Sequence, residues 1–418
     1  MKFGNPLIYP TDKNYPFSKS MKKIYLNRAK TQIARPNTIR NINRQIVLSY
    51  VRDRSPISRA AIARETTLNK STISTIVEAL NADGFIEEIG MGNSSGGRKP
   101  TLLKLKTGKP VALGIDIMPR RTTIAVADMG GKILEREDFP TVSEVGEMTA
   151  AIIEKVPKFV NLFKKDQMEI GISVPGITDY PNGKVLYVPY FNWRDWNISQ
   201  ILAEKTNLNV TVENDANATA LAELWFGGKK IREVKNFITV LVGEGIGTGI
   251  IFDGQLYRGE KGAAGEFGHM FVAQTASVLC SCGSRNCWEA LASEKAALAR
   301  YSQIRPKKNG RRQCCNFNDL VTAGSKGEPN ALQVLQEMGK FLGIGISNLI
   351  VGLSPQAVIV SGSITAAWDI ISNELHTFAE RSVRNGLPKT FLTTSTLGSQ
   401  PTLIGAINLV LARKFASA

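Results

Sequence analysis

Asn69-Lys-Ser-Thr-Ile-Ser-Thr-Ile-Val-Glu-Ala-Leu-Asn-Ala-Asp-Gly84 decides the fold of the N-terminal quarter. Ile73, Ile76, Val77 and Leu80 recur at i, i+3, i+4 and i+7, which places apolar side chains on one stripe of a helix. At about 100° per residue, Ser71, Ser74, Thr75 and Glu78 lie on the opposite side. The period predicts a helix from Lys70 to Asp83, stopped by Gly84. Working outward, Ile39, Ile42, Ile46 and Tyr50 keep helical spacing behind Asn37, a good N-cap, and Asp53–Pro56 ends that helix. Ser58 caps a short helix, Arg59–Glu65, with Ile62 inward, and the turn Thr66–Asn69 joins it to the quoted stretch. Strands are expected at Phe85–Ile89 and Thr101–Leu105 around the tip Gly90–Pro100. Three helices and a hairpin make a winged helix-turn-helix over residues 36–108. Residues 1–35 show neither helical nor strand period and are expected to form a flexible basic arm.

Charge says what this quarter meets. Residues 1–106 hold 19 Lys/Arg against 7 Asp/Glu, so +12 of the chain's +16 lies there. Concentration in one segment points to a polyanion partner, double-stranded DNA, rather than a merely solvated surface. The outward face of the quoted helix offers Lys70, Ser71, Thr72, Ser74 and Thr75. Such short side chains let a helix settle in a major groove. Arg98 and Lys99 in the glycine-rich tip suit the negative potential of a minor groove. The same architecture would also serve protein contact or dimerisation.

The chain has 418 residues, enough for two or three domains, and its 43% hydrophobic and 21% charged content is that of a soluble globular protein. No uninterrupted apolar run approaches the roughly 20 residues that span a bilayer. No signal peptide is legible, so a cytoplasmic address with no membrane partner is expected. Five cysteines, three of them within eight residues, point to metal binding rather than a secreted disulfide framework. After Gly108, Val111–Ile117, Thr122–Asp128 and Lys132–Phe139 read as strands. Helical and strand patterns then alternate to the end, so an α/β architecture is expected.

Three segments carry chemistry. His269, Cys280, Cys282 and Cys287 form a Cys3His set that would fill a tetrahedral zinc and leave no open position, a structural role. Cys314 and Cys315 stand apart from it. Val212-Glu-Asn-Asp-Ala-Asn-Ala218 sits where a strand enters a helix. Its Asp215 could accept a proton from a hydroxyl and Asn214 could hold a neighbouring one, or the pair could simply cap the helix. Val242-Gly-Glu-Gly-Ile-Gly-Thr-Gly249 follows an apolar strand. Its glycines permit close approach to a ligand, commonly phosphate, or a plain hairpin turn.

In this order and spacing, these segments resemble the ROK family (repressors, open reading frames and sugar kinases), in its winged-helix repressor branch. The likeness runs from Asn37 to the C-terminus. It includes Gly114-Ile-Asp116, Ser173-Val-Pro-Gly176, the Asn214–Asn217 segment and the Gly-rich turn. It continues through Gly265-Glu-Phe-Gly-His269, Cys280-Ser-Cys-Gly-Ser-Arg-Asn-Cys-Trp-Glu289 and Leu403-Ile-Gly-Ala406. The resemblance implies a two-lobed, actin-like sugar-kinase fold, with lobes over 109–225 and 226–402 and a C-terminal helix, about 403–418, returning to the first. It implies that Asn214, Asp215, Glu266, His269 and Glu289 hold sugar hydroxyls, and that one structural Zn2+ per chain is bound by the Cys3His set.

Where this chain departs from the family pattern, the departures cluster. Family kinases follow the first Asp with x-Gly-Gly-Thr, a turn that admits ATP phosphates; Met118, Pro119 and Arg120 stand there instead. Glu244 replaces a usual Thr, Ser361-Gly362-Ser363 replaces a glycine pair, and Asn286 a glycine of the metal motif. The expected function is therefore a sugar-responsive DNA-binding repressor. It would be released from its operator by a sugar or sugar phosphate, with Asp215 only a vestige of a catalytic base and no enzyme activity. A homodimer is expected, with a tetramer left open. The alternatives are a bifunctional ATP-dependent sugar kinase that also binds DNA, and a regulator that senses metal at the cysteines.

Overall fold

The computed structural model describes residues 36–92, 99–162, 168–272, 276, 278–304, 316–381 and 388–417. The arm 1–35, Arg98, and the Cys314 and Cys315 pair lie outside the described residues.

The N-terminal part runs α1 (Pro36–Arg54), β1 (Ile57–Ser58), α2 (Arg59–Glu65), α3 (Lys70–Ala82), β2 (Ile86–Met91) and β3 (Thr101–Leu105). Side-chain caps set the starts of α2 and α3. Ser58 Oγ accepts from Ala61 N at 3.1 Å, and Asn69 Oδ1 from Thr72 N at 2.8 Å. Each such cap is worth about 1 kcal/mol. The stripe Ile73, Ile76, Val77 and Leu80 is buried, and Gly84 at φ 78 follows the end of α3. The strands pair antiparallel in the order β1-β3-β2, with Ile86 opposite Leu105 and Ile57 opposite Leu103.

Two expectations for α1 are corrected. The helix opens at Pro36, whose fixed φ suits a first turn, so Asn37 lies inside it. Its inward residues are Val47, Leu48 and Val51, while Ile46 and Tyr50 are only half-buried. A single stripe is the wrong template because α1 is covered from two sides. Its core also contains Leu403, Ile407, Val410, Leu411 and Phe415 of the last helix, so one apolar cluster runs past residue 108. Asp128 ties the crossing, accepting from Gly108 N through Oδ2 and from Gly130 N and Lys132 N through Oδ1.

The chain continues with β4 (Pro110–Ile117), β5 (Arg121–Asp128), β6 (Ile133–Pro140), α4 (Val145–Leu162) and β7 (Glu169–Val174). Then come β8 (Ile177–Asp179), β9 (Lys184–Val188), β10 (Trp193–Trp196), α5 (Ile198–Thr206), β11 (Val210–Asn214) and α6 (Asp215–Phe226). A five-stranded sheet has the order β11-β7-β4-β5-β6, parallel from β11 to β4 and antiparallel beyond. Strands β8 to β10 form a small antiparallel sheet.

Beyond α7 (Lys229–Arg232) lie β12 (Phe237–Val242), β13 (Ile246–Phe252), β14 (Gln255–Leu256), α8 (Trp288–Ala292), α9 (Glu294–Ile304) and α10 (Phe317–Ser325). The chain ends with α11 (Pro329–Leu353), β15 (Ala357–Gly362), α12 (Trp368–Glu380), β16 (Phe391–Thr394) and α13 (Pro401–Ser417). The second five-stranded sheet is ordered β14-β13-β12-β15-β16, again mixed. Its central strand Phe-Ile-Thr-Val-Leu-Val is buried throughout, as strands covered on both faces are. Helix α11 is long and apolar enough to cross a bilayer, yet 61% of its apolar window is buried against its own domain. Helix α13 leaves the second sheet and packs across β4, β7 and α6 of the first.

Candidate functional site

A cleft of about 620 Å³ lies between the two sheets, where the strand-end turns converge. Three turns build it: Met118–Arg121 between β4 and β5, Asn214–Asp215 between β11 and α6, and Gly243–Gly245 between β12 and β13.

At the floor, the two readings of the Asn214–Asp215 segment turn out to be compatible. Asn214 does cap α6, its Oδ1 accepting from Asn217 N at 3.0 Å, while Nδ2 donates to Gly176 O at 3.0 Å. Both residues also line the cleft. Asp215 Oδ1 accepts from Ala216 N at 2.8 Å. Burial pushes its carboxyl up to about 7, and the neighbouring Asp116 and Glu266 charges add to that rise. Asp116 is pushed up to about 6 by burial, against a hydrogen bond that Thr402 Oγ1 donates to its Oδ2 at 2.7 Å. Behind them, Glu213 (1% exposed) accepts from Arg258 Nε at 2.8 Å through Oε2. Through Oε1 it accepts from Asn214 N at 3.0 Å. Arg258 follows β14 and stacks 3.8 Å over Tyr180, so this pair fastens the second sheet's loop behind the first sheet's site.

The Gly-rich segment is a hairpin, with Gly243 N donating to Gly245 O at 3.0 Å, and it also walls the cleft. A Cβ on Gly245 would stand 2.5 Å from both the Glu289 carboxylate and the Tyr190 hydroxyl, so any side chain here would push one or both aside. Across the mouth, Arg120 Nε of the β4–β5 turn pairs with the Glu244 carboxylate of the β12–β13 turn. Nearby Glu294 is pushed up to about 7 by burial and by Glu244, with Arg120 acting the other way.

The fourth wall is the cysteine loop. His269 Nδ1 lies 3.2 Å from Cys280 Sγ, Cys282 and Cys287 sulfurs are 3.4 Å apart, and all four donor atoms fall within 4.8 Å of one another. A tetrahedron of Zn–S bonds near 2.3 Å would place its sulfurs about 3.8 Å apart, so the set fits a four-coordinate ion. Three thiols and an imidazole this close can hold a metal ion. The other ring nitrogen, His269 Nε2, faces Glu266 at 3.5 Å, on the cleft side. Glu266 is half-exposed; partial desolvation by the walls raises its carboxyl, against the pull of His269. Glu289 bridges loop and hairpin. Oε2 accepts from Ile246 N at 3.1 Å, and Oε1 from Ser281 Oγ at 3.0 Å and Cys280 Sγ at 3.3 Å.

All five residues expected to hold hydroxyls therefore line one cleft, and the four expected ligands form one cluster at its edge. On α3, Lys70, Ser71 and Thr75 are exposed, while Thr72 and Ser74 are half-buried; Lys99 is exposed beyond the hairpin. Sequence reasoning did not find Tyr190, Arg258, Glu294 or the Arg120–Glu244 pair. Each depends on residues far apart in the chain, and no local pattern marks them.

The ROK family model matches residues 112–413. The xylose repressor of Bacillus subtilis (strain 168) is 34% identical over 384 residues, 91% of this chain and 97% of that protein. A crystal structure of a ROK family transcriptional regulator, a homologue of the E. coli MLC protein, aligns with TM-score 0.74 at 26% identity, covering 91% of this chain and 100% of that one. A ROK family glucokinase from Streptomyces griseus, solved with glucose and AMPPNP, aligns with TM-score 0.64 at 28% identity, covering 98% of itself but 71% of this chain. The cleft-bearing portion is thus shared with kinase and regulator alike, and this chain belongs to the ROK family.

Proposed function

We propose that the protein is a sugar-responsive transcriptional repressor that binds operator DNA as a homodimer and does not phosphorylate its sugar. Residues 36–108 act as a winged helix-turn-helix, with α3 in the major groove and the β2–β3 hairpin as the wing. Lys70, Ser71 and Thr75 are the exposed groups placed to meet DNA, with Thr72 and Ser74 at the edge of that face and Lys99 on the wing. Residues 109–225 with α13 form one lobe and 226–402 the other. The relatives named as a repressor and a transcriptional regulator span nearly the full chain, and this supports the reading.

The observation that carries the sensor reading is the Arg120–Glu244 ion pair. It joins the two turns between which a kinase of this fold would admit nucleotide phosphates, and Pro119 beside it lacks a backbone donor. The floor is furnished for hydroxyls instead. With Arg120 already paired and Asp215, Glu266, Glu289 and Glu294 lining the cleft, a neutral sugar suits it better than a phosphate dianion. Zn2+ is the ion that best suits three thiols and an imidazole; bound there, it would fix the loop that carries Glu289 and orient His269 through Nδ1.

One observation favours the bifunctional kinase: a cleft carboxyl pushed up to about 7 by desolvation, as Asp215 is, is tuned for proton abstraction at physiological pH. A single experiment separates the two. The full chain is titrated with D-xylose, D-glucose and N-acetyl-D-glucosamine by calorimetry, and ADP release is followed in the presence of each sugar and ATP. Binding of one sugar without ADP release is expected. Sugar-dependent turnover at or above about 1 s⁻¹, the usual kinase range, would replace the sensor by the enzyme.

A further inference from the structure

Two helices start at the cleft and end under the N-terminal domain. Helix α6 begins with Asp215 and reaches Trp225 ten residues later, about 15 Å along its axis. Helix α13 begins at the cleft with Pro401 and Thr402, the latter bonded to Asp116, and reaches Phe415 about 20 Å further on. The two are packed backbone to side chain: a Cβ on Gly405 would come within 2.8 Å of the Ala218 carbonyl carbon. Such contact leaves little room for one to slide without the other.

The pair is also pressed by the second sheet. A Cβ on Gly249 of β13 would lie 2.5 Å from both Ala216 O and Ala220 Cβ of α6. Any change in the angle between the sheets therefore bears directly on α6, at the end that carries Asp215.

At the far end stands a joint with no role in the cleft. The rings of Trp225 and Phe415 lie 5.1 Å apart, and the Arg52 guanidinium of α1 sits over both, at 4.5 Å and 5.6 Å. Arg52 is held there by Asp53, to which its Nε donates at 2.6 Å, and Asp53 in turn accepts from Nη1 of Arg232, just past α6, at 2.8 Å. A cation over two aromatic faces, largely desolvated, is a directional contact that distinguishes positions of α1 relative to the rod.

We propose that α6 and α13 act as one rod carrying the state of the cleft to α1, and that the Arg52 clasp on Trp225 and Phe415, braced by Asp53–Arg232, is the positioning joint. The inference rests on the regulator reading above. Sugar at Asp215 and the adjoining wall shifts the rod; the joint shifts α1; and α1 carries α3, packed on it through Val47, Leu48 and Val51. Two packed helices that share a core with α1 and meet it at this directional joint are a physically continuous coupling route between sites.

The test is a coupling measurement on the full chain. Affinity for a duplex selected by the protein from a random pool is measured with and without saturating D-xylose, D-glucose or N-acetyl-D-glucosamine. The wild type is compared with Trp225→Leu, Trp225→Phe and Arg232→Gln. Coupling factors of about 5–150 are usual for such linkage. Trp225→Leu, which keeps apolar bulk but loses the ring face, is expected to bring the factor down to about 1–3, with sugar affinity and sugar-free operator affinity each within about threefold of wild type. Arg232→Gln should lower it in the same direction, and Trp225→Phe should restore most of it. A merely structural role would change the two affinities and leave their ratio alone. Unchanged coupling in both Trp225→Leu and Arg232→Gln overturns the joint while leaving the regulator intact. A wild type whose operator affinity ignores every sugar overturns the regulator reading, and the joint with it.

Discussion

At the floor of the cleft, Asp215 is half-buried and Asp116 buried; they are held by a backbone N–H and a threonine hydroxyl, and pushed up to about 7 and about 6 by desolvation. At its mouth, Arg120 is 76% exposed and meets Glu244 across the two turns. The floor is made by the fold: strand end, helix cap and a glutamate held by Arg258 fix its groups. The mouth carries a charged pair that joins its two turns, at the place where, on the function proposed above, a kinase would keep room. Recognition of hydroxyls needs only the first kind of construction. Phosphoryl transfer also needs a mouth open to phosphate, because it depends on in-line positioning and on charge offset at the phosphate.

The largest effect should come from the support of the floor. Removing the metal, or changing Cys282→Ser, is expected to lower the melting temperature by more than about 10 °C, since structural zinc sites contribute on the order of 10 kcal/mol to folding. Loss of sugar binding should accompany it, because Glu289 is tied to Ser281 of the same loop. Elemental analysis together with thermal melts checks this; metal-replete protein with less than about a tenth of an ion per chain would remove the metal from the account.

Next in size is the floor itself. Asp215→Asn should weaken sugar binding roughly ten- to hundredfold, the scale of a hydrogen bond to a charged group. The sign with pH follows from burial. The carboxylate that accepts a hydroxyl is populated only above about 7, so wild-type sugar affinity should rise as pH is raised through that value. The asparagine variant should show a flat profile by calorimetry. A wild-type profile that falls with pH would mean the protonated acid binds the sugar.

Most of the fold was legible because its signals are local. The Arg59–Glu65 helix and the Thr101–Leu105 strand fall on the residues their patterns assign, and α3 differs by one residue at its end. Strand β1 escaped because two residues cannot show alternation. The shared core of α1 and α13 escaped for another reason: Val47 and Phe415 are brought together by topology, and periodicity reports only which face is buried, not by what. The same limit applies at the cleft. The Asn214–Asp215 segment and the cysteine loop announce themselves by type and spacing. Arg120 and Glu244 each read as a lone departure until the turns are seen to meet.

A third prediction concerns a buried carboxyl of α6 outside the cleft lining. Burial pushes Glu223 of α6 up to about 7, with Ser395 acting the other way. Its folded pKa lies above the unfolded value of 4.5, so its contribution to stability is complete below that value and is lost as pH rises through about 7. Glu223→Gln should therefore stabilise the protein above neutrality by on the order of 1–3 kcal/mol and lose that advantage in acid. Denaturant melts at several pH values read it directly; equal stabilisation at all pH would locate the effect in packing instead.

The smallest effect belongs to the mouth. Glu244→Gln breaks an exposed pair and should change stability by no more than about 1 kcal/mol. Sugar affinity should stay within about twofold, and no ADP release should appear, because Met118 and Pro119 still fill the turn. Kinase activity gained by this single change, measured by coupled ADP assay, would show that the ion pair alone had been suppressing transfer.

The central claim is that sugar in this cleft governs DNA binding by the same chain. Fluorescence anisotropy of a selected operator duplex, saturated with full-length protein and titrated with D-xylose, D-glucose and N-acetyl-D-glucosamine without nucleotide, tests it most directly. The account predicts that one of these sugars weakens operator binding at least about tenfold and that Asp215→Asn abolishes the response. An operator affinity indifferent to all three, in protein that binds one of them by calorimetry, would contradict it.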